Sequence, residues 1–215
     1  MDKIKLLLIT ILFIILSPWF FSFVMFPERF NPNNLTFSTI NDQLFIDNIN
    51  YLQGITRDSS LTFPSRLVVN KYTMYLKKLI NNYFETYDPK YLYFEGEDDL
   101  TKTPYAAGPL LVGTFSFFAI GIAKSIKKHK YIIYMFMASG IPGAFVVKNY
   151  DTISRLLFFL LYAVICSLGF WYLILKHKKI FTVLLLLTLI NFAVFYHNFE
   201  SHYTKAVSKQ LYIFK

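Results

Sequence analysis

The sequence predicts an all-α integral membrane protein. Hydrophobic residues make up 55% of the 215-residue chain, aromatic residues 20% and charged residues 16%, whereas a typical soluble domain has about 25% charged residues. The mean hydropathy is +0.41, and five long stretches carry no Asp, Glu, Lys or Arg. This composition excludes soluble globular, disordered, collagen-like and disulfide-stapled proteins, and the single cysteine, Cys166, cannot form an intrachain disulfide.

The five charge-free stretches predict five transmembrane helices, because about 20 mostly apolar residues are needed to cross the hydrocarbon core. They cover residues 6–26, 103–123, 131–147, 156–175 and 180–196. The first is too long for the apolar core of a signal peptide and is followed by no small-residue cleavage site. We therefore interpret it as an uncleaved anchor.

These stretches divide the chain into four segments. They are an N-terminal transmembrane anchor (1–26), an extracytoplasmic loop (27–107), a four-helix transmembrane region (108–196) and an extracytoplasmic tail (197–215). The second stretch begins with polar and small residues, so its span is placed from about Gly108 onward.

The lysine distribution predicts the orientation in the cell membrane. Nine lysines against one acid give a net charge of +8 to the N-terminus and to the two short connections near residues 124–130 and 176–179. The 27–107 loop has a net charge of −2. Because cytoplasmic segments carry the excess of Lys and Arg, we expect a multi-pass protein with a cytoplasmic N-terminus and an extracytoplasmic C-terminus. The overall charge of +9 is then a topology signal, and nucleic acid is not an expected partner.

The 27–107 loop contains one clear amphipathic pattern. Over residues 70–87, tyrosines and aliphatic residues recur at a three-four spacing, while lysines, asparagines and threonines occupy the other face. This period predicts a helix that Asp88-Pro89 terminates. Two interpretations remain open: a helix lying in the lipid headgroup region, or a helix packed on a small extracytoplasmic domain.

An acidic turn follows this helix. Residues 91–94 are read as a short aromatic strand or extended piece, and four carboxylates come directly after: Glu95, Glu97, Asp98 and Asp99. Oxygen ligands of this kind can hold a divalent cation, but the spacing fits no calcium loop. A solvated turn is the favoured interpretation, and no cofactor or metal site is predicted.

Two cations follow a break in the third stretch. The sequence Ser139-Gly140-Ile141-Pro142-Gly143 interrupts the predicted helix, and Lys148 and Arg155 lie just beyond it, at the predicted outer surface. These two side chains can extend to lipid headgroups, or they can bind the phosphate of a lipid-linked substrate. The histidines and Cys166 form no catalytic triad or zinc spacing.

Read in order, three sets of residues resemble a known family. The first set comprises Asn70, Asn82-Tyr83-Phe84, the 89–97 stretch, Pro104 and Gly108; the second comprises the 140–145 stretch, Asp151 and Arg155; the third comprises Tyr196, Phe199 and Tyr203. Together they resemble segments of bacterial membrane glycosyltransferases related to the protein O-mannosyltransferases. These are multi-span enzymes of the GT-C class that use polyprenyl-phosphate sugars. Two departures from the family pattern are Asp88 before Pro89 and Gly140 in place of a proline.

The resemblance implies sugar transfer from a polyprenyl-phosphate donor on the outer membrane face. It covers about residues 45–214, which correspond to the C-terminal half of such an enzyme. The family's catalytic acid lies on an earlier outer loop, and no residue here matches it. We therefore expect the chain to be inactive alone, or to depend on a second membrane subunit that supplies the base.

A second hypothesis is a non-catalytic membrane scaffold or assembly partner that uses loop 27–107 for recognition. A transporter is a weaker third, because transporters usually carry ionisable residues within their spans. The five predicted spans contain no Asp, Glu, Lys, Arg or His.

Overall fold

The computed structural model describes residues 3–31, 35, 37, 43–58, 70–96, 107–146 and 152–203, and these are almost entirely helical. In chain order the α-helices are α1 (Lys3–Ile15), α2 (Pro18–Met25), α3 (Gln43–Asp58), α4 (Lys71–Glu85), α5 (Phe115–Lys128), α6 (Lys130–Ala138), α7 (Ile141–Ala144), α8 (Leu156–Lys176) and α9 (Lys178–Asn198). Within these ranges there is no strand, only one antiparallel bridge between Phe37 and Val146. The predicted all-α class is confirmed.

Two helices are long and apolar enough to cross a membrane. With their terminal turns they span Ile153–Lys176 and Lys178–Ser201, and the bent pair α1–α2 would make a third. The structure therefore fits a membrane protein that contacts the lipid bilayer. The predicted second and third spans contain shorter helices, α5 and α6, so the five-span arrangement stays a prediction.

The first charge-free stretch folds as two helices instead of one. The axes of α1 and α2 differ by 71°, and the break falls immediately before Pro18. Proline has no N–H to donate and its ring clashes with the preceding turn, so the helix cannot continue straight. The next N–H, that of Trp19, donates to the Pro109 carbonyl at 3.2 Å. A distant, non-helical segment thus completes the backbone hydrogen bonding at the break.

Helix α8 is the centre of the fold, and it packs against α1, α5, α6 and α9. Its closest neighbour is α5, because each helix has a glycine where the other helix's backbone approaches. A Cβ on Gly169 would lie 2.8 Å from the Gly121 nitrogen, and a Cβ on Gly121 would lie 2.8 Å from the Ile165 carbonyl carbon. Small residues of this kind let helices in lipid approach closely enough for dense packing.

A hydrogen-bonded chain of hydroxyls lies within the aromatic core. The Tyr162 hydroxyl lies 3.0 Å from that of Tyr93 and 2.9 Å from that of Thr114. Thr114 also donates to the Leu111 carbonyl at 2.6 Å. Buried hydroxyls need such partners, and this chain joins α8 to the segments before and after residues 97–106.

The amphipathic helix predicted over 70–87 is present as α4. Asn70 caps it, since its side chain accepts hydrogen bonds from the Tyr72 and Thr73 backbone N–H groups. One face packs on α7. A second face leaves four large apolar side chains exposed at a spacing of four residues: Tyr72, Leu76, Ile80 and Phe84. The side of the membrane on which α4 lies is not tested and stays a prediction.

The strand predicted at residues 91–94 is wrong, because Tyr91–Glu95 forms a single π-helical turn, named the π turn below. The Gly96 N–H donates to the Tyr91 carbonyl at 3.1 Å, and Gly96 adopts a positive φ of 67°. The turn places Tyr91 and Leu92 in the interior. A strand would send alternate side chains to opposite faces and would not bury these two neighbours together.

Candidate functional site

Arg155 occupies an unusual position for a cation. It follows Ile153 and Ser154 in a short 3-10 turn and stands at the N-cap of α8. Only 1% of its surface is exposed. Burying a charge is costly unless it is compensated, and the N-terminal end of a helix carries partial positive charge that disfavours cations. The charge of the guanidinium and the partial positive charge of the α8 N-terminus therefore lie close together within the protein.

The groups around Arg155 come from two separate parts of the chain, residues 86–91 and the turn that contains Arg155 itself. Its Nε donates to the Thr86 hydroxyl at 3.2 Å, and its guanidinium carbon lies 5.2 Å from the centre of the Tyr91 ring. The Tyr91 hydroxyl is in turn 3.4 Å from that of Thr152. These hydroxyls and the aromatic face provide a polar lining that accommodates a guanidinium.

The α7 turn closes the site on one side. A Cβ on Gly143 would lie 2.9 Å from the Thr86 hydroxyl oxygen and 3.5 Å from the Arg155 Nε. Any side chain there would compete for the space that Thr86 and Arg155 share. Gly143 is thus required by this close approach, and the break in the third charge-free stretch is part of the site.

Three side chains of the α4 region bind the α6–α7 segment. The Asn82 amide donates to the carbonyls of Ala144 and Val146, at 3.3 and 3.0 Å. The Tyr87 hydroxyl donates to the Met137 carbonyl at 2.7 Å, and the Tyr83 hydroxyl does so at 3.0 Å. These bonds add side-chain donors to carbonyls at the C-terminal ends of α6 and α7, and α4 is fixed beside Arg155.

Glu85 is the titratable neighbour of this site. Burial raises the pKa of its carboxyl, the positive charge of Arg155 opposes that rise, and Asp88 adds to it. Its buried Oε2 has no hydrogen-bond partner among the residues that the structure describes. The site therefore holds a carboxyl that is partly desolvated and incompletely paired, at the C-terminal end of α4.

We expect Glu85→Gln to stabilise the protein at neutral pH. The pKa of Glu85 is higher in the folded state than in the unfolded state. The contribution of Glu85 to the free energy of unfolding therefore falls as the pH rises from the ordinary carboxyl pKa through the raised one. Glutamine removes the charge and that pH dependence. Thermal unfolding at pH 5 and pH 8 checks this, with exposed Glu95→Gln as control. A lower melting temperature for Glu85→Gln at pH 8 would contradict it.

The acidic turn and Lys148 are only partly within the described residues. Glu95 is exposed and pairs with Lys90 at 2.8 Å; their hydrogen bond raises the pKa of Lys90. Glu97, Asp98, Asp99 and Lys148 lie outside the described residues. No group of three or more potential metal ligands occurs in the ranges that the structure covers.

Sequence reasoning identified Arg155 but not its surroundings. It placed Arg155 at the outer surface, whereas the side chain is enclosed by protein. Thr86, Tyr91, Thr152 and Glu85 were not named as site residues. Thr86 and Tyr91 flank the Asp88-Pro89 break, and this position beside a helix end is the only sequence signal that distinguishes them.

No protein-family model, curated protein or solved structure matches the chain. The interpretation of the site therefore rests on its geometry. A buried guanidinium, neighbouring hydroxyls and a helix N-terminus together form an arrangement suited to a small oxyanion.

Proposed function

We propose that the chain is a partial, glycosyltransferase-like membrane protein whose Arg155 site binds the phosphate of a polyprenyl-phosphate sugar on the outer membrane face. The observation that carries the proposal is the buried guanidinium at the N-cap of α8. An anion there gains from both the guanidinium and the helix end.

The arrangement of the resembling segments supports this proposal. Asn82, the π turn, the α7 turn and Arg155 belong to the stretches on which the glycosyltransferase resemblance rests, and they are far apart in sequence. In the fold they surround one site. The third stretch lies elsewhere, since Phe199 packs against Phe21 and Phe195.

The proposal includes five spans, a cytoplasmic N-terminus and an outer location for α4. The lysine distribution supports this topology. It also includes a second membrane subunit as the source of the catalytic base. Glu95 is exposed and paired with Lys90, and Glu85 is an acidic residue that interacts with Arg155. Neither has the partners of an activated general base in this arrangement.

A phosphate reaches Arg155 only after part of the enclosing protein moves. The α7 turn is the element suited to this, because it contains four residues and contacts Thr86 through Gly143 without a side chain. We expect binding of the phosphate to displace α7 while α8 stays in place. Phosphate binding is therefore expected to weaken the contact between α4 and α7.

The test is capture of a photoactivatable prenyl-phosphate sugar by the full chain in lipid nanodiscs. Arg155→Lys keeps the charge but loses the planar fork that suits phosphate. We expect about a tenfold loss of capture, since a hydrogen bond to a charged group contributes roughly 1.5–3 kcal/mol. A prenyl glycoside without phosphate is the matched probe, and its capture should not change.

Lys90→Ala is the matched control variant, because Lys90 is an exposed cation on the segment that leads into the π turn. It should capture the phosphate probe as the wild type does. A loss from Lys90→Ala with none from the charge-preserving Arg155→Lys would indicate non-specific charge attraction. No loss from Arg155→Lys, with its melting temperature unchanged, would refute the phosphate site.

The second candidate function is a non-catalytic scaffold, and the exposed apolar stripe of α4 favours it. Such a stripe, rimmed by lysines, is typical of a docking or membrane-contact surface. Affinity purification from the native membrane separates the two functions. Recovery of a multi-span partner with an acidic first outer loop supports the split enzyme, and recovery of unrelated envelope proteins supports the scaffold.

A further inference from the structure

A cavity of about 230 Å³ is lined in part by Tyr93 and Phe94 of the π turn, whereas Arg155 contacts Tyr91 of the same turn. The cavity is formed by irregular backbone: the α1–α2 break at Pro18, the segment 107–112 and the π turn itself. One side of α9 completes it. Non-helical backbone at membrane depth is tolerated where it is buried or lines a cavity, and π-helical turns are frequent at functional sites.

The depth of the cavity follows from α9. This helix has 21 residues, or about 31 Å at 1.5 Å per residue, which is close to the thickness of the hydrocarbon core. The cavity uses Asn191, Phe195 and Asn198, at the end opposite Lys178 and Lys179. It therefore lies near the membrane interface, where lipid headgroups meet their chains.

The cavity is lined by two asparagine amides and by aromatic and aliphatic side chains. None of its described side chains carries a charge. The Asn191 Oδ1 accepts from the Gly113 N–H at 3.3 Å, which leaves the amide NH₂ as the donor toward the cavity. Asn198 adds a second amide, and Tyr93, Phe195 and Phe199 provide aromatic faces. Amides recognise hydroxyl and carbonyl oxygens, and no described lining side chain supplies an opposite charge to pair with an ionic headgroup.

The cavity mouth is apolar. Phe94, Val112 and Val194 all line the cavity and are exposed large apolar residues. At 230 Å³ the space is smaller than the roughly 300–1,000 Å³ of sites for drug-sized ligands. This volume suits the uncharged headgroup of one amphiphile and the first carbons of its hydrocarbon chain, which would extend along α9 into the lipid.

We propose that this cavity binds an amphiphile with an uncharged, hydroxyl-bearing headgroup. Two sources share this chemistry, an alkyl glycoside and a monoacylglycerol. The headgroup would receive hydrogen bonds from the Asn191 and Asn198 amides, and its chain would pass between Phe94 and Val194 to the lipid. None of the residues that line this cavity belongs to the Arg155 site. The proposal for the cavity is therefore independent of the proposed phosphate binding.

The experiment uses the full chain in nanodiscs and photoactivatable probes of equal chain length. The probes are an alkyl glucoside, a monoacylglycerol, an alkyl sulfonate and an alkyltrimethylammonium. We expect the uncharged probes to crosslink to the cavity residues at least about tenfold more than the charged ones. Labelling by the glucoside alone would identify a sugar headgroup, and labelling by the monoacylglycerol alone a glyceride.

Two exposed valines of α9 provide a matched pair of variants. Val194 lines the mouth and is 54% exposed, whereas Val183 lies outside the cavity and is 57% exposed. We expect Val194→Trp to reduce labelling about tenfold and Val183→Trp to leave it unchanged. Asn198→Leu should remove the preference for uncharged heads. Equal labelling of the two tryptophan variants, or of charged and uncharged probes, would overturn the proposal.

Discussion

Gly169→Ala is expected to produce a large loss of stability, comparable to that of Gly121→Ala on the facing helix. The new Cβ would overlap the Phe117 carbonyl oxygen and lie 2.8 Å from the Gly121 nitrogen. Both are backbone atoms, so relief requires α5 and α8 to separate. Overpacking usually costs about 1–3 kcal/mol, and backbone overlap places this variant at or above the upper end. Thermal unfolding in detergent, followed by circular dichroism, measures it.

Gly54→Ala is the matched control for that substitution. Gly54 lies in α3, and a Cβ there would meet nothing within 4 Å. Because alanine favours a helix over glycine by about 0.5–1 kcal/mol, we expect a small stabilisation. A Gly169→Ala variant that unfolds at the wild-type temperature would show that α5 and α8 are less closely packed than described.

Asn82→Leu is expected to release α4 from α7. Leucine has a similar volume but leaves the Ala144 and Val146 carbonyls without the amide that now donates to both. A buried acceptor left unsatisfied costs roughly 1–3 kcal/mol. We therefore expect tryptic cleavage after Lys77 and Lys78, on the same helix, to accelerate about 5- to 30-fold, since that factor corresponds to one or two kcal/mol.

The neighbouring Asn81→Leu serves as the comparison, because Asn81 is exposed on the same helix. Its cleavage rate should stay close to that of the wild type. Equal acceleration in both variants would mean that helix propensity, and not the bond to α7, determines the stability of α4. Prenyl-phosphate capture by Asn82→Leu also bears on the proposed movement of α7, since a released turn should admit the probe more readily.

Local patterns predicted the helices well where one period or one break dominates. The three-four spacing predicted α4, and Asp88-Pro89 correctly indicated where helix could not continue. The break at 139–143 was also visible, because proline and glycine disfavour uninterrupted helix. The class of protein followed from composition alone, since a chain this rich in apolar residues needs lipid to cover them.

Long-range contacts were beyond sequence reasoning. Arg155 was expected at the surface because only its distance from the predicted spans was known; its burial depends on Thr86 and Tyr91, more than 60 residues earlier. The π turn was misread as a strand for a similar reason. Three aromatic residues and a leucine in a row resemble a strand locally. In the fold, Tyr91 lies against Arg155 while Tyr93 hydrogen-bonds to Tyr162, and the tight turn makes both contacts possible.

The hydrogen bond between the Trp19 N–H and the Pro109 carbonyl has a consequence for how the chain is made. The ribosome emits Pro109 about 90 residues after Trp19, or roughly 5–18 s later at 5–20 residues per second. During that interval the N–H has no such partner, and an unsatisfied backbone group in hydrocarbon costs several kcal/mol. If α1–α2 crosses the membrane, we expect it to reach its final packing only after residue 109 has been synthesised. Biogenesis would then be ordered by a contact between the beginning and the middle of the chain.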